Sequence, residues 1–201
     1  MSSAIRKAVA QTAAPILEAS GFEQVSTYCV ERPLEHLAQG IEFQPGTGVK
    51  KGQFTVNLYW RYTNSPIVKE EAMHFSERLG RFLGGGDEWY DGSSVKAARS
   101  SAELACKVIE DRVLTFFDRF RDVREIIEAF EQGELEPHVL FGPDRGWQAY
   151  HRGYCYLSLG QLDKARESLF QVVRDFSDPD LGWIRDRRLA AQTTLDSLDR
   201  G

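Results

Sequence analysis

The chain has 201 residues, of which 42% are hydrophobic and 27% are charged, and its formal net charge is −5. A chain of this length buries roughly 70% of the surface that its unfolded form exposes, so it needs no disulfide or metal to fold. Residues 1–132 carry 16 basic and 19 acidic side chains, and the remainder carries 9 and 11. Since neither part offers a basic field for phosphate, composition argues against nucleic-acid binding.

Membrane segments and disulfides are also not expected. No apolar run approaches the roughly 20 residues that span a bilayer, and the N-terminal stretch is broken by Arg6, Lys7 and Gln11, which predicts a cytoplasmic protein. The three cysteines are odd in number and at least 49 positions apart, so they predict buried free thiols, with a reactive thiol as the alternative.

The first segment, "AIRKAVAQTAAPILEASGF", places its apolar residues on one broad helical face and ends at Gly21. It predicts a helix. Because Pro15 has no backbone N–H to donate, we expect either a kink there or a helix that begins later.

After Gly21 the apolar period changes from helical to two. "FEQVSTYCVERP" predicts a strand closed by Pro33, and "LAQGIEFQ" predicts a second strand with Leu37, Ile41 and Phe43 on one side. The clearest alternation is in "QFTVNLYWRY", where every second residue from Phe54 onward is apolar. We therefore expect an antiparallel sheet with one face buried.

From residue 100 the helical period returns. Ser100 with Glu103, and Asp122 with Glu125, have the spacing of a capping box, in which the hydroxyl or carboxylate of the first residue caps the helix. An apolar stripe follows the first of these pairs and predicts a helix that covers the sheet. The predicted fold class is α+β, an antiparallel sheet covered by helices with a C-terminal helical hairpin and a capping helix.

In the C-terminal third, the sequence predicts a linker followed by helices and no strands. Residues 133–146, with two glycines flanking two prolines, predict a linker in which Val139, Leu140 and Phe141 dock on another part of the chain. Residues 147–179 resemble a single tetratricopeptide repeat, with small residues at Gly153 and Ala165 and a turn at Gly160. The predicted domains are an α+β domain at 1–132, the linker, and a helical extension at 147–201.

Familiar catalytic motifs are missing, and we predict no cofactor. The glycine run at 84–86 is not expected to hold phosphate, because carboxylates follow it at once. A metal site formed by His74, Asp87, Glu88 and Asp91 is the sharper hypothesis, but its spacing fits no standard cage, and solvated acidic residues are the alternative.

The N-terminal region also carries a family resemblance. "IEFQ", "GQFTVNLYW", "RLGRFL" and "DEWYDG" occur in the order seen in domain-of-unknown-function family 4304, a set of mainly bacterial proteins, and the resemblance covers residues 4–130. The last aromatic of the Asp-x-Trp-aromatic run is often a second Trp in that family, so Tyr90 is a departure. The resemblance implies a fold and supplies no catalytic residue.

Two functions are therefore weighed. The first is a non-enzymatic protein-protein interaction or binding module with an unknown protein partner, and by analogy of fold class an immunity-like protein. The second is a small-molecule-binding protein or hydrolase with a polar site beside Trp89. The residues that would form this pocket or interaction site are Asn57, Arg61, His74, Arg78, Asp87, Trp89 and Tyr90. Arg78 would anchor an anion, or else form a structural salt bridge to a nearby carboxylate.

Overall fold

The computed structural model describes residues 2–66, 76–135, 145–176 and 182–200. The described chain forms two compact units. The first comprises residues 2–34, 38–60 and 76–119, and the second comprises residues 35–37, 61–66, 120–135, 145–176 and 182–200. No helix in these ranges is both long and apolar enough to cross a membrane.

An antiparallel sheet forms the centre of the first unit. Its strand order is β1-β2-β3-β4-β5, and β6 also pairs with β4. The strands are β1 Glu23–Gln24, β2 Cys29–Pro33, β3 Leu37–Pro45, β4 Gln53–Tyr62, β5 Ser76–Arg78 and β6 Tyr90–Asp91. The predicted α+β class, with an antiparallel sheet, helices and a C-terminal helical hairpin, is confirmed.

Two expectations about the strands need correction. The stretch predicted as one strand before Pro33 is two strands, since the N–H groups of Val25 and Ser26 both donate to the Cys29 carbonyl and turn the chain. The middle of β4 is buried on both faces, because Thr55, Asn57 and Tyr59 are buried as well as the alternating apolar side chains. Polar partners on neighbouring strands make the burial of Asn57 and Tyr59 tolerable.

The helices of the first unit are long segments with local irregularities. α1 Ser2–Ala8 continues through a π-helical turn, Val9–Ala13, into α2 Ala14–Glu18. Pro15 does not delay this helix; the departure from α geometry is the π turn, in which the Ala14 N–H donates to the Val9 carbonyl. A 3₁₀ turn covers Gly48–Lys50, and α3 is Leu79–Phe82.

The second long helix begins earlier than predicted. α4 is Val95–Val108, and it continues through a π-helical turn, Ile109–Val113, into α5 Leu114–Arg119. Its N-cap is Ser94, whose hydroxyl accepts from the Ala97 N–H at 3.1 Å. Ser100 therefore lies inside the helix, and the capping box predicted there is wrong. The apolar pattern does not distinguish Ser94 from Ser100 as the N-cap, because the first turn of α4, which follows Ser94, is exposed and has no apolar pattern.

A buried polar network ties β2, β3 and α5 together. Arg32 is 5% exposed and donates to the Gln39 amide oxygen at 2.9 and 2.5 Å and to Asp118 at 2.8 Å. Gln39 in turn donates to the Phe117 carbonyl at 2.6 Å. Buried charge is stable only with such partners, so this network fixes the helix against the sheet.

The second unit is helical. It contains α6 Val123–Glu131, α7 Arg145–Ser158, α8 Leu162–Asp175 and α9 Gly182–Leu198, and the capping box predicted at Asp122 and Glu125 is confirmed. Residues 136–144 of the predicted linker, including Val139, Leu140 and Phe141, lie outside the described residues.

α7 and α8 pack closely as a hairpin. A Cβ atom at Gly153 would lie 2.7 Å from the Leu169 side chain, so only glycine allows this approach of the two helices. Gly160 closes the turn with φ +68°, as glycine after a helix commonly does. Leu169 and Val172 are buried in the second unit, whereas Leu162, at the start of α8, is 44% exposed.

Candidate functional site

Arg78 is at the centre of the predicted site, at the end of β5. Its guanidinium forms an ion pair with Asp87, and the Nε of Arg81, one turn later, lies 2.6 Å from the other Asp87 oxygen. Arg78 and Asp87 are each 30% exposed, and Arg81 is 54% exposed. One carboxylate thus holds two guanidinium groups, and Arg78 is a brace between β5 and the following loop.

The glycine run makes this brace possible. Gly80 lies so close to the Gly86 carbonyl that a Cβ atom could not fit, and the Gly85 N–H donates to the Gly80 carbonyl at 2.9 Å. Of the three consecutive glycines, only Gly84 has a positive φ, +85°. The run is therefore a tight turn that returns Asp87 to Arg78.

Trp89 and Tyr90 follow that turn and have different roles. Trp89 is half-buried, and both Lys50 Nζ and Arg78 Cζ lie 5.3 Å from its ring centre, within cation–π range. Tyr90 is buried, stacks on Phe54 at 5.3 Å and donates to Glu88 at 2.8 Å. Tyr90, rather than Trp89, anchors the loop to the sheet, and burial raises the pKa of its hydroxyl.

Beside the Arg78–Asp87 ion pair, polar residues on β2, β3, β4 and β5 form a row across the sheet. Cys29 faces Glu42 across β2 and β3, and Asn57 faces Arg78 across β4 and β5. The Asn57 amide donates to Glu42 at 2.6 Å and to Gln44 at 3.1 Å. Burial raises the pKa of Glu42, and the hydrogen bond from Asn57 opposes that rise. The row therefore places a carboxyl group with a raised pKa next to an amide donor.

A second polar contact across the sheet, between Tyr59 and Glu31, depends on a glycine. Gly40 leaves the space in which the Tyr59 ring lies, and the Tyr59 hydroxyl donates to Glu31 at 3.0 Å. Glu31 and Gly40 are cross-strand partners. Glu31 is 6% exposed and Tyr59 is 4% exposed, and burial raises the pKa of the Tyr59 hydroxyl. The neutral Tyr59 hydroxyl thus provides a hydrogen-bond donor to the buried Glu31 carboxylate.

Glu77 is the most perturbed carboxyl group in the first unit. It is the cross-strand partner of Leu58 and is 2% exposed. Burial raises its pKa to about 7, although the Arg81 charge and a backbone hydrogen bond at Arg78 act in the opposite direction. Within the described chain its Oε2 atom has no hydrogen-bond partner. Perturbed carboxyl groups of this kind also occur at functional sites, but Glu77 does not line the cleft at Arg6, the groove at Phe170 or the cavity at Asn64.

The structure brings together part of the predicted site. Asn57, Arg78, Asp87, Trp89 and Tyr90 all lie in the first unit around β4 and β5. Arg61 is half-buried near the end of β4 and is assigned to the second unit, and His74 lies outside the described residues.

Sequence reasoning missed several neighbours of this site. They are Glu31, Glu42, Lys50, Glu77 and Arg81. Only Arg81 had a sequence signal, since it lies one helical turn after Arg78. The others are brought in by strand register and loop closure.

The carboxylates of the metal hypothesis have other partners. Asp87 pairs with the two arginines, Glu88 accepts from Tyr90, and Asp91 accepts from the Ser93 N–H at 2.8 Å. Across the described ranges, no group of three or more His, Cys, Asp or Glu side chains is placed to hold a metal ion. Cys106 and Cys155 are buried free thiols, as predicted, and Cys29 is half-buried.

In the second unit, residues 62–65 lie along α7. The Tyr62 hydroxyl lies 2.7 Å from His151 Nδ1, and the Ser65 hydroxyl lies 3.0 Å from that of Tyr150. Asn64 donates to the Tyr154 carbonyl at 3.2 Å. This face of α7 is therefore occupied by the protein's own chain.

An open groove of about 490 Å³ lies between α8 and α9. Its apolar lining residues are Phe170, which is 63% exposed, and the mostly buried Leu195. Its polar lining residues are Arg166, Glu167, Gln171, Arg174 and Asp199. Aromatic residues and arginine are both enriched at protein-binding surfaces.

Compared with family models, with curated proteins and with solved structures, the chain matches none, so its function is inferred from its own geometry.

Proposed function

We propose that this chain is a non-enzymatic protein-protein interaction module and that the groove between α8 and α9 is its partner surface. The observation that carries the proposal is Phe170, a large aromatic side chain that is 63% exposed in the middle of a regular helix. Aromatic residues and arginine are enriched at protein interfaces, and a helix presents them without an ordering cost.

Charge around the groove defines the partner's chemistry. Arg166 lies 3.8 Å from Asp163 and 3.6 Å from Asp199, and Glu167 adds a third carboxylate beside this one guanidinium. Lys164 and Arg174 offset these carboxylates, so the charged residues around the groove are of both signs. We infer a partner segment that places an apolar side chain on Phe170 and charged side chains of both signs around it.

The hairpin itself supports this proposal. Gly153 allows the close approach of α7 and α8, and Gly160 forms the turn between them, as the resemblance to a tetratricopeptide repeat leads us to expect. Repeats of that type commonly bind proteins. Since residues 62–65 lie along α7, the exposed surface of the hairpin is on α8 and α9.

A displayed library of random peptides selected on the intact protein tests the proposal. We expect enrichment of peptides that combine an aromatic or aliphatic residue with charged residues, and loss of their binding in Phe170→Ser. Leu189→Ser is the matched control, because Leu189 is also 63% exposed, on α9, outside the groove. Peptides that bind Phe170→Ser as well as the unchanged protein, or no enrichment at all, would refute the proposal.

An immunity-like role is one form of this proposal, in which the partner is a toxin encoded beside this chain. Co-expression with the adjacent gene product should then protect cells, and Phe170→Ser should abolish protection while Leu189→Ser retains it. Protection that survives Phe170→Ser would place the partner surface elsewhere.

The polar site beside Trp89 is the second candidate, as a small-molecule site. The row from Glu42 through Asn57 to Arg78 favours it, since it places an acceptor with a raised pKa and an amide next to a cation. A metabolite that binds there should change Trp89 fluorescence, and Arg78→Ala should remove the change at nearly constant melting temperature. A large loss of melting temperature in Arg78→Ala, with no ligand found, would identify Arg78 as the structural brace only.

A further inference from the structure

The first unit has an open cleft of about 470 Å³ between α1 and the turn that joins β1 to β2. Both walls are polar. The helix supplies one wall and residues 24–27 supply the other, and the residues that line the cleft are Arg6, Lys7, Ala10, Gln11, Gln24, Val25, Ser26 and Thr27.

The charge in this cleft is opposite to that of the chain. The protein carries a net charge of −5, yet the described lining holds two cations and no carboxylate. Arg6 and Lys7 are exposed, and neither forms an ion pair with a residue in the described part of the chain. They therefore differ from Arg78 and Arg81, which both form ion pairs with Asp87.

A third cation lies at the edge of the cleft. Arg99 on α4 donates a hydrogen bond to the Gln11 amide oxygen, and it has no carboxylate partner in the described ranges. Arg6 and Lys7 line the cleft with Gln11, and Arg99 contacts Gln11, so three cations without a described carboxylate partner lie around this side chain. Their mutual repulsion is relieved by a bound anion.

The turn that forms the second wall is ordered by its own hydrogen bonds. The Val25 and Ser26 N–H groups donate to the Cys29 carbonyl at 3.1 and 3.3 Å, and the Gln24 amide donates to the Ser26 carbonyl at 3.0 Å. The wall is therefore formed before any ligand arrives, and little conformational entropy is lost on binding.

We propose that this cleft binds a multiply charged anionic ligand that carries phosphate or carboxylate groups. The Arg6 guanidinium can bind two oxygens of such a group side by side, and the Lys7 ammonium adds a point charge. Gln11, Gln24 and Thr27 contribute neutral hydrogen-bonding groups without introducing a repelling charge. The cleft lies in the first unit, so the inference does not depend on the groove at Phe170.

Isothermal titration of the full chain with tripolyphosphate and, separately, with citrate tests the inference. At an ionic strength of about 0.05 M, where screening is weak, we expect at least one of them to bind. The double variant Arg6→Gln/Lys7→Gln should weaken that binding at least about tenfold. The control Lys51→Gln/Lys107→Gln removes the same charge from exposed positions outside the cleft and should stay within about twofold.

Thr27→Glu provides an independent variant, since it places a carboxylate at the mouth of the cleft and should also weaken binding. The stronger of the two anions identifies phosphate or carboxylate as the preferred group. Failure of both anions to bind would overturn the inference. So would equal weakening in the cleft and control variants, because that result would reflect net charge alone.

Discussion

Replacing Gly40 with alanine tests whether the gap on β3 exists to accommodate the Tyr59 ring. An ideal Cβ atom on Gly40 would overlap three carbons of that ring, and both residues are buried. The ring must therefore move, and its hydroxyl loses the 3.0 Å bond to Glu31, which stays buried.

The expected loss follows from these contacts. A hydrogen bond to a charged acceptor contributes about 1.5–3 kcal/mol, and forcing a buried side chain out of its position costs about 1–3 kcal/mol. Alanine regains about 0.5–1 kcal/mol over glycine within a strand. The free energy of unfolding should therefore fall by about 3 kcal/mol.

Urea unfolding at neutral pH, followed by far-ultraviolet circular dichroism, measures this change. Gly86→Ala is the control, since its Cβ atom would meet nothing within 4 Å and its φ is not positive, and it should change stability little. In a Tyr59→Ala background the cost of Gly40→Ala should fall below about 1 kcal/mol, because the overlap is gone. The reasoning fails if Gly40→Ala costs that little in the unchanged protein, or if its cost is the same in both backgrounds.

Three further outcomes follow from the structure. A pKa of about 7, raised from 4.5, means that Glu77 contributes its full stability below pH 4.5 and loses it as pH rises through 7. Glu77→Gln should therefore match the unchanged protein near pH 4 and exceed it by up to about 3 kcal/mol at pH 8 in urea unfolding; a difference independent of pH would contradict this. Ser94→Ala should cost about 1 kcal/mol in thermal unfolding and Ser100→Ala almost nothing, and the opposite order would contradict the observed cap. Gln39→Ala should cost about 2–4 kcal/mol, because Arg32 then keeps a buried charge with fewer acceptors; a loss below 1 kcal/mol would show that water replaces the amide.

Local periodicity predicted the elements that depend on neighbours along the chain. β4 spans the predicted stretch, α6 begins at its capping box, and α7 and α8 meet at Gly153, all as the sequence indicated. The start of α4 was missed because its first turn is exposed and has no apolar pattern. Ser94 is thus recognisable as a cap only once the backbone is known.

The site was predicted less completely, because it depends on strand register. Arg78 lies opposite Asn57, and Asn57 reaches Glu42, only in the observed pairing of β3, β4 and β5. A shift of one residue would move each of these side chains to the other face of the sheet. Periodicity identified the strand residues that alternate, but it does not specify which residues face each other.

The arginines of this chain show why a cation in an attractive motif is weak evidence for a ligand site. Arg78 lies beside Trp89 in the predicted site, yet it is paired with Asp87, and a ligand anion would compete with that carboxylate. Arg6 lies in a plain helical stretch, but it lines a cleft without a described carboxylate and has no ion pair. An anion therefore gains attraction at Arg6 without first breaking an existing pair. This difference in pairing, which only the folded chain reveals, makes the cleft at Arg6 the stronger candidate for anion binding.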